Sequence, residues 1–169
     1  GIFAANKQLP SIVLPNIFTV AAYAQLQKDV VAAACHCKNH PIEYRYEEAK
    51  LPKAVAAVVN SSEVLQLISA ATGKKATAVT GKLLRLSHRS YTLLNDRAVE
   101  KPGMDVVISF SRWQPEWGGS VTYFSNGMHT PLLLQENTLA IVRRKQGVQK
   151  YVKYVNNKAG RNKRYVLVA

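Results

Sequence analysis

Hydrophobic and polar positions along the chain change their period near residue 75. Before this point, apolar residues recur with helical spacing, which predicts three amphipathic helices over residues 17–36, 51–60 and 63–72. Thr19 and Ser62 are good N-cap residues for the first and third helices, and Gly73 is suited to end the third. Residues 42–49 alternate apolar and polar positions in their first half and predict a strand between the helices.

After residue 75, the chain consists of about eight short segments rich in Val, Leu, Tyr and Thr. Turn dipeptides such as Pro102-Gly103 and Asn126-Gly127 separate them. Helices followed by evenly spaced strands predict a single α+β domain over residues 1–169. We expect a mainly helical layer in residues 1–74, packed on one sheet of a sandwich or jelly roll formed by residues 75–169.

The charge of the chain is strongly positive and unevenly placed. The 23 Lys and Arg residues outnumber the 10 acidic residues and give a net charge of +13. Nine basic residues and no acidic residue follow Glu136. This imbalance favours an anionic partner, which could be a nucleic acid, an acidic protein or an acidic ligand. The alternative is a soluble surface with surplus lysine.

Neither a membrane span nor a secretory leader is expected, because no apolar run reaches 18 residues and the apolar stretch near residues 11–35 is interrupted. Cys35 and Cys37 are too close in sequence for an unstrained disulfide, which favours a reducing, intracellular compartment, cytoplasmic or organellar. Together with His36 and His40 they form a short Cys/His group. Its spacing matches no standard zinc pattern, so we expect no metal there.

Five segments of the strand half carry a family resemblance: SYTLLND, PGMDVVISFSRWQPEWGGSVTYF, PLLLQENTLAIVRR, KYVKYV and KRYVLVA. The turn W-x-x-E-W-G-G and the downstream Asn-Thr-Leu are their most specific features. Together they resemble the double-stranded β-helix (jelly roll) of the iron(II)- and 2-oxoglutarate-dependent oxygenases, in particular the prolyl-4-hydroxylase-like branch. The resemblance implies a metal site held by two histidines and one carboxylate, and a basic residue that binds 2-oxoglutarate.

The metal ligands that the resemblance implies are missing from this sequence. The His-x-Asp pair falls on Asn95 and Arg97, and the second histidine falls on Lys150. An amide oxygen is a poor ligand for iron(II), and two cations at ligand positions repel a divalent ion. We therefore expect a degenerate site with no metal and no catalytic residue. A relocated site would have to use His88 and His129 with Asp105 or Glu100.

The basic residue for the oxoacid is better retained, at Arg164 or, less favourably, at Arg161. If Arg97, Lys150 and Arg164 converge at one barrel mouth, they form a metal-free basic pocket for a carboxylate or phosphate. Such a pocket could hold 2-oxoglutarate without iron. The alternative is that these side chains point outward or pair with Asp96, Asp105 or Glu136.

The last two strands and their connection interleave lysines with tyrosines, an arrangement that suits phosphate contact plus base stacking. The candidate contacts are Lys153, Lys158, Lys163, Tyr151, Tyr154 and Tyr165. The same alternation is also typical of a half-buried strand.

Three functional hypotheses follow. The first is a catalytically degenerate, prolyl-hydroxylase-like domain without a cofactor, a pseudoenzyme that acts as a basic binding or scaffold module for an acidic macromolecule. The second is an active protein hydroxylase that uses Fe(II) and 2-oxoglutarate through displaced ligands. The third is an RNA- or DNA-binding module or a ribonucleoprotein structural subunit. Neither the partner nor the oligomeric state follows from the sequence.

Overall fold

The computed structural model describes residues 9–94 and 101–169, and within them the chain forms three α-helices and eleven strands. The helices are α1 (Val20–Val31), α2 (Lys53–Val59) and α3 (Ser62–Thr72). The strands are β1 (Ser11–Pro15), β2 (His36–His40), β3 (Tyr44–Lys50), β4 (Lys82–Leu86), β5 (Tyr91–Thr92), β6 (Gly103–Ser109), β7 (Val121–Ser125), β8 (Met128–Pro131), β9 (Thr138–Arg144), β10 (Gln149–Val152) and β11 (Arg164–Val168).

Two antiparallel sheets build the fold. The larger sheet has the order β1-β9-β6-β11-β4-β3-β2, with β5 pairing separately with β3. The smaller sheet has the order β10-β7-β8. Strand β5 lies beside β10, where the Val152 amide donates to Thr92 Oγ1 at 2.7 Å. The eight strands β4–β11 thus form the predicted jelly roll, and the α+β fold class is confirmed.

The central strands of the larger sheet are buried on both faces, because the helices cover one face and the smaller sheet faces the other, whereas the edge strand β2 is largely exposed. Leu26 of α1, Val55 of α2 and Ile68 of α3 pack with Leu83 and Leu167 in a core on the helix side. A second core fills the jelly roll from the opposite face of the same strands; it contains Val107, Val121, Ala140, Val142 and Val166. Strand β11 therefore contributes to both cores.

Two of the predicted helix ends, at Thr19 and Gly73, are confirmed. The Thr19 side chain accepts a hydrogen bond from the Ala22 amide at 3.3 Å, and Gly73 ends α3 with a φ of 68°. The predicted cap at Ser62 is wrong by one residue, because Ser61 accepts from the Val64 amide at 3.4 Å and Ser62 is already helical. Helix α1 also ends earlier than predicted, because the chain after it extends to form β2.

The N-terminal layer contains more strand than the sequence pattern indicated. Residues 42–49 form a strand as predicted, observed as β3, but β1 and β2 were not predicted. Strand β1 pairs with β9, and β2 pairs with β3 at the other edge of the larger sheet. The layer therefore widens the sheet as well as covering it. No single helix in the described ranges could cross a membrane by length and composition; α2 and α3 pass that test only as a pair bent by 46°.

Candidate functional site

A cavity of about 550 Å³ lies between β3, β4, β5 and β10. Apolar side chains such as Leu84 and Val152 line it together with tyrosines and four charged residues, Glu43, Glu48, Lys82 and Lys150. Thr92 and Leu93 also line it, and they lie three and two residues before Asn95, the first predicted ligand position. Those positions, Asn95 and Arg97 with Asp96 between them, lie outside the described residues.

Lys150 points into the jelly roll and is tied to a buried carboxylate. Strand β10 pairs with β7 so that Lys150 lies opposite Tyr123. The Lys150 Nζ atom lies 3.3 Å from Asp105 Oδ2, and the Tyr123 hydroxyl donates to the same oxygen at 2.9 Å. Arg144 Nε donates to the other oxygen, Oδ1, at 2.8 Å. We call Asp105, Tyr123, Arg144 and Lys150 the Asp105 cluster.

In the Asp105 cluster, the buried carboxylate of Asp105 is compensated by cations and hydrogen-bond donors of the protein itself. The Asp105 side chain is only 2% exposed, and a buried carboxylate is stable only when cations and hydrogen-bond donors compensate it. Two cations and a hydroxyl do so here. Of the two alternatives for Lys150, an open basic pocket and pairing with an acidic residue, the structure confirms pairing with Asp105. Asp105 was one of the three acidic partners considered from the sequence, but the local sequence around Lys150 does not choose among them.

Arg164 does not join this cluster, so the predicted convergence with Lys150 is wrong. Its guanidinium is buried and donates to the carbonyl oxygens of Gly119 at 3.1 Å and Leu134 at 3.2 Å. It also lies 5.9 Å from the centre of the Trp113 ring. Residue 165 bonds to Ser111, and the extended chain from Asp105 to Ser111 spans roughly 20 Å. Arg164 therefore lies at the far end of the jelly roll.

Burial lowers the pKa of Arg164 to about 10, so its guanidinium still carries a charge at neutral pH. Among the described residues no carboxylate pairs with it, and its two carbonyl acceptors help to offset the burial of the cation. Arg161, the other candidate for an oxoacid contact, is exposed in the turn before β11 and does not line the cavity. Neither arginine contributes to a shared pocket with Lys150.

The charges at the cavity rim are also paired. Lys82 Nζ lies 3.0 Å from Glu48 Oε2, and Lys38 Nζ lies 3.3 Å from Glu48 Oε1. Although burial acts to raise the pKa of Glu48, the hydrogen bonds from these two lysines lower it below its ordinary value. Burial, reinforced by Glu48, raises the pKa of the neighbouring Tyr46. Sequence reasoning missed Glu48, whose role depends on lysines from two other strands.

The residues present do not fit an iron(II) ion. No group of three His, Cys, Asp or Glu side chains could hold a metal ion in the part of the chain that the structure describes. His129 contacts the Tyr151 hydroxyl at 3.0 Å, His88 lies in the loop after β4, and Asp105 is held by its own cluster. A relocated site on these three residues is therefore wrong, and Glu100 lies outside the described residues. Cys35 and Cys37 are both free thiols.

The six candidate phosphate and base contacts separate into two groups. Lys153, Lys158, Lys163 and Tyr154 are exposed. Tyr165 is only 7% exposed because it belongs to the core beneath the helices, so its assignment as a base contact is wrong. Tyr151 is half-buried and lines the cavity.

Comparisons with known proteins agree with this architecture. A family model described as "Oxoglutarate and iron-dependent oxygenase degradation C-term" matches residues 19–169. Prolyl 3-hydroxylase OGFOD1 of Mus musculus is 30% identical over 84 residues, a stretch that covers 47% of this chain. The matched stretch spans only 15% of that protein's length.

Solved structures share the fold at low sequence identity. An oxidoreductase of the 2OG-Fe(II) oxygenase family from Burkholderia pseudomallei has a TM-score of 0.71 at 12% identity, over 94% of this chain and 83% of its own. A prolyl-4-hydroxylase from Pseudomonas putida has a TM-score of 0.65 at 11% identity, over 94% of this chain and 89% of its own. A prolyl hydroxylase from Trichoplax adhaerens has a TM-score of 0.68 at 8% identity, over 94% of this chain and 81% of its own.

Proposed function

The chain belongs to the oxoglutarate and iron-dependent oxygenase degradation C-term family, and we propose that it is a catalytically degenerate member that acts as a basic binding or scaffold module. It is a 2-oxoglutarate oxygenase-like domain of the prolyl-hydroxylase type. The observation that carries the proposal is the ion pair between Lys150 and Asp105 inside the jelly roll.

Lys150 stands where the resemblance calls for the second metal-binding histidine. A protonated lysine has no lone pair to offer a metal and repels a divalent cation. Its ammonium lies 3.3 Å from Asp105 Oδ2, so the side chain at this position is engaged in an ion pair. At the two other ligand positions, Asn95 and Arg97 are chemically unsuited to iron(II). We therefore assign no catalytic residue and no iron to this domain.

The same cluster argues against 2-oxoglutarate as a resident ligand. The cosubstrate would need cations for its carboxylates, and the Asp105 carboxylate already occupies Arg144 and Lys150. Asp105 is covalently anchored beside its partners, so a free dicarboxylate competes at a large entropic disadvantage. We expect no specific binding of 2-oxoglutarate at the Asp105 cluster.

The mouse relative is compatible with a non-catalytic role. The matched stretch covers 15% of that prolyl 3-hydroxylase, so the activity in its name does not require the matched segment to carry the chemistry. A domain with a net charge of +13 is suited instead to hold an acidic macromolecule. The competing hypothesis of an active hydroxylase would need ligands that the described residues do not supply.

Calorimetric titration of the metal-stripped protein with Mn(II), a redox-stable substitute for Fe(II), tests the proposal with and without 2-oxoglutarate. We expect no saturable binding of the metal. Stoichiometric binding that tightens with 2-oxoglutarate would contradict the proposal and favour an active oxygenase with displaced ligands.

A triple variant provides the matched comparison. Asn95→His, Arg97→Asp and Lys150→His together supply the ligand set that the resemblance implies. Metal binding by this variant and not by the parent would show that these three positions account for the loss of the metal.

A further inference from the structure

Exposed basic side chains lie in the loop after β4, the tryptophan turn and the connection between β10 and β11, and we call them the closed-end basic face. Its members are Arg89, Arg112, Lys153, Lys158, Arg161 and Lys163, all exposed. The face adjoins the cavity along β10, because Lys153 directly follows the cavity-lining Val152.

Three separate stretches of chain are held together to form this face. The Arg89 amide donates to the Val155 carbonyl at 2.9 Å, which joins the loop after β4 to the connection between β10 and β11. The Asn156 amide donates to the Trp117 carbonyl at 3.0 Å, which joins the tryptophan turn to the same connection. The side chains of Trp113, Val155 and Ala159 are buried beneath. The basic groups therefore stand on a well-packed base.

The charges of the closed-end basic face are not compensated by ion pairs. Elsewhere Lys38, Lys82, Arg85, Arg144 and Lys150 each pair with a carboxylate. None of the six members of the face forms an ion pair among the described residues. Glu116 is the single acidic residue in the three stretches. Lys163 also acts, after Arg85, to lower the pKa of Glu47, so this one cation has a carboxylate near it. Clustered cations without ion pairs are the electrostatic footprint of a binding site for a polyanion.

An exposed aromatic ring lies among these cations. Tyr154 is 48% exposed and directly follows Lys153, and its ring centre lies 6.3 Å from that of Tyr91. An exposed aromatic ring contributes little to binding an acidic peptide, but it offers a surface on which a nucleobase can stack. The combination of a stacking surface and surrounding cations favours single-stranded nucleic acid, whose bases are free to leave the stack.

We propose that the closed-end basic face binds single-stranded nucleic acid, with its lysines and arginines contacting phosphates and Tyr154 stacking on a base. This inference rests on the proposed function, because it names the partner of the binding module. It revises the six contacts expected from sequence: Tyr151 and Tyr165 are excluded, and Arg89, Arg112 and Arg161 are added. Phosphate contacts and stacking do not read the 2′-hydroxyl, so RNA and DNA strands bind with similar affinity.

Fluorescence anisotropy with labelled oligouridylate and oligothymidylate of about 12 nucleotides tests the proposal over a range of salt concentrations. In the face variant, Lys153, Lys158 and Lys163 are replaced by alanine. In the control variant, Lys53, Lys74 and Lys75, exposed on the helix side, are replaced by alanine. Both lose three charges. We expect the face variant to lose at least about tenfold in affinity, and the slope of log affinity against log salt concentration to become less steep by about 2. The control variant should bind with nearly the affinity and slope of the parent.

Two substitutions of Tyr154 separate the contribution of stacking to oligonucleotide binding from the contribution of charge. Tyr154→Ala should weaken binding at least about fivefold with an unchanged salt slope, and Tyr154→Phe, which keeps the ring, should bind like the parent. Circular dichroism on each variant checks that the fold is intact. A loss in Tyr154→Phe equal to that in Tyr154→Ala would overturn the stacking role.

Two further results would overturn the proposal itself: equal losses in the face and control variants, or binding of polyglutamate as tight as binding of the oligonucleotides. These results are distinct from failure of the proposed function. Metal binding by the parent would reject the degenerate domain and leave nucleic-acid binding standing. No binding of oligonucleotides together with no binding of metal would reject only the inference about the face.

Discussion

The ammonium of Lys150 on β10 lies 3.3 Å from the carboxylate of Asp105 on β6, although the two residues are 45 positions apart in the chain. The pair joins the smaller sheet to the larger one inside the jelly roll. Arg144 and Tyr123 complete the coordination of the carboxylate. A side chain of the protein thus takes the place that a bound anion would occupy.

The Asp105 cluster should be essential for stability. Asp105→Asn removes the charge that compensates Lys150 and Arg144 and leaves two cations close together in a mostly buried site. Breaking a buried ion pair on one side typically costs about 3–5 kcal/mol, and we expect that loss in the free energy of unfolding measured in urea. Glu116→Gln changes an exposed carboxylate by the same chemistry and should stay within about 0.5 kcal/mol of the parent. Equal unfolding midpoints for the two variants would contradict a structural role for Asp105.

Arg164 should require its guanidinium shape as well as its charge. Arg164→Lys retains a cation but replaces two separate guanidinium nitrogens, which reach Gly119 and Leu134, with a single ammonium nitrogen, so we expect one buried carbonyl to lose its donor. We expect a loss of about 1–3 kcal/mol in the free energy of unfolding. The matched variant Arg161→Lys, in the exposed turn before β11, should be neutral in the same assay. Similar effects of the two substitutions would argue against the two carbonyl contacts.

Gly118 should be irreplaceable because of its neighbour Tyr154. Gly118 has a φ of 81°, and a Cβ atom there would collide with the Tyr154 carbonyl oxygen. Gly127 has a similar φ of 76° but open space around the position of a Cβ atom. Gly127→Ala should therefore cost about 1 kcal/mol from backbone strain alone, and Gly118→Ala clearly more. Thermal unfolding of both variants measures the difference, and equal melting temperatures would contradict the steric argument.

The ion pair between Glu47 and Arg85 should make stability depend on pH. Arg85 donates to Glu47 through Nε at 2.7 Å and Nη2 at 2.6 Å, and these hydrogen bonds, opposed by partial burial, hold the pKa of Glu47 below its ordinary value of 4.5. The unfolded chain then binds more protons than the folded one just below pH 4.5, so the stabilisation is present above that pH and is lost as the pH falls.

Urea unfolding of the parent and of Glu47→Gln from pH 7 to pH 3 measures this effect. We expect the parent to be more stable at neutral pH and the difference to shrink below pH 4.5. In an Arg85→Met background, the Glu47→Gln substitution should lose most of that pH dependence, because the donor that lowers the pKa is gone. A difference that stays constant over the whole range would contradict the assignment.

The sequence by itself determined those elements whose signals lie within a few residues of one another, namely helix ends and strands bounded by turn residues. The cap at Thr19, the end of α3 at Gly73 and the succession of strands β4–β11 follow from capping chemistry, backbone freedom and turn residues acting within a few positions. Strand β2 escaped prediction because it is a polar, largely exposed edge strand that exists only by pairing with β3. No alternation of apolar and polar residues marks such a strand.

The candidate site depended on the tertiary structure. The sequence by itself determined that the expected metal ligands are replaced and that basic residues crowd the C-terminal third. It could not show that Tyr165 and Arg164 are both buried, because β11 lies between two cores and its two faces carry no contrast in polarity. It also could not pair Lys150 with Asp105, since charge complementarity inside a fold depends on distances in space, and only the packing of the two sheets brings these residues together.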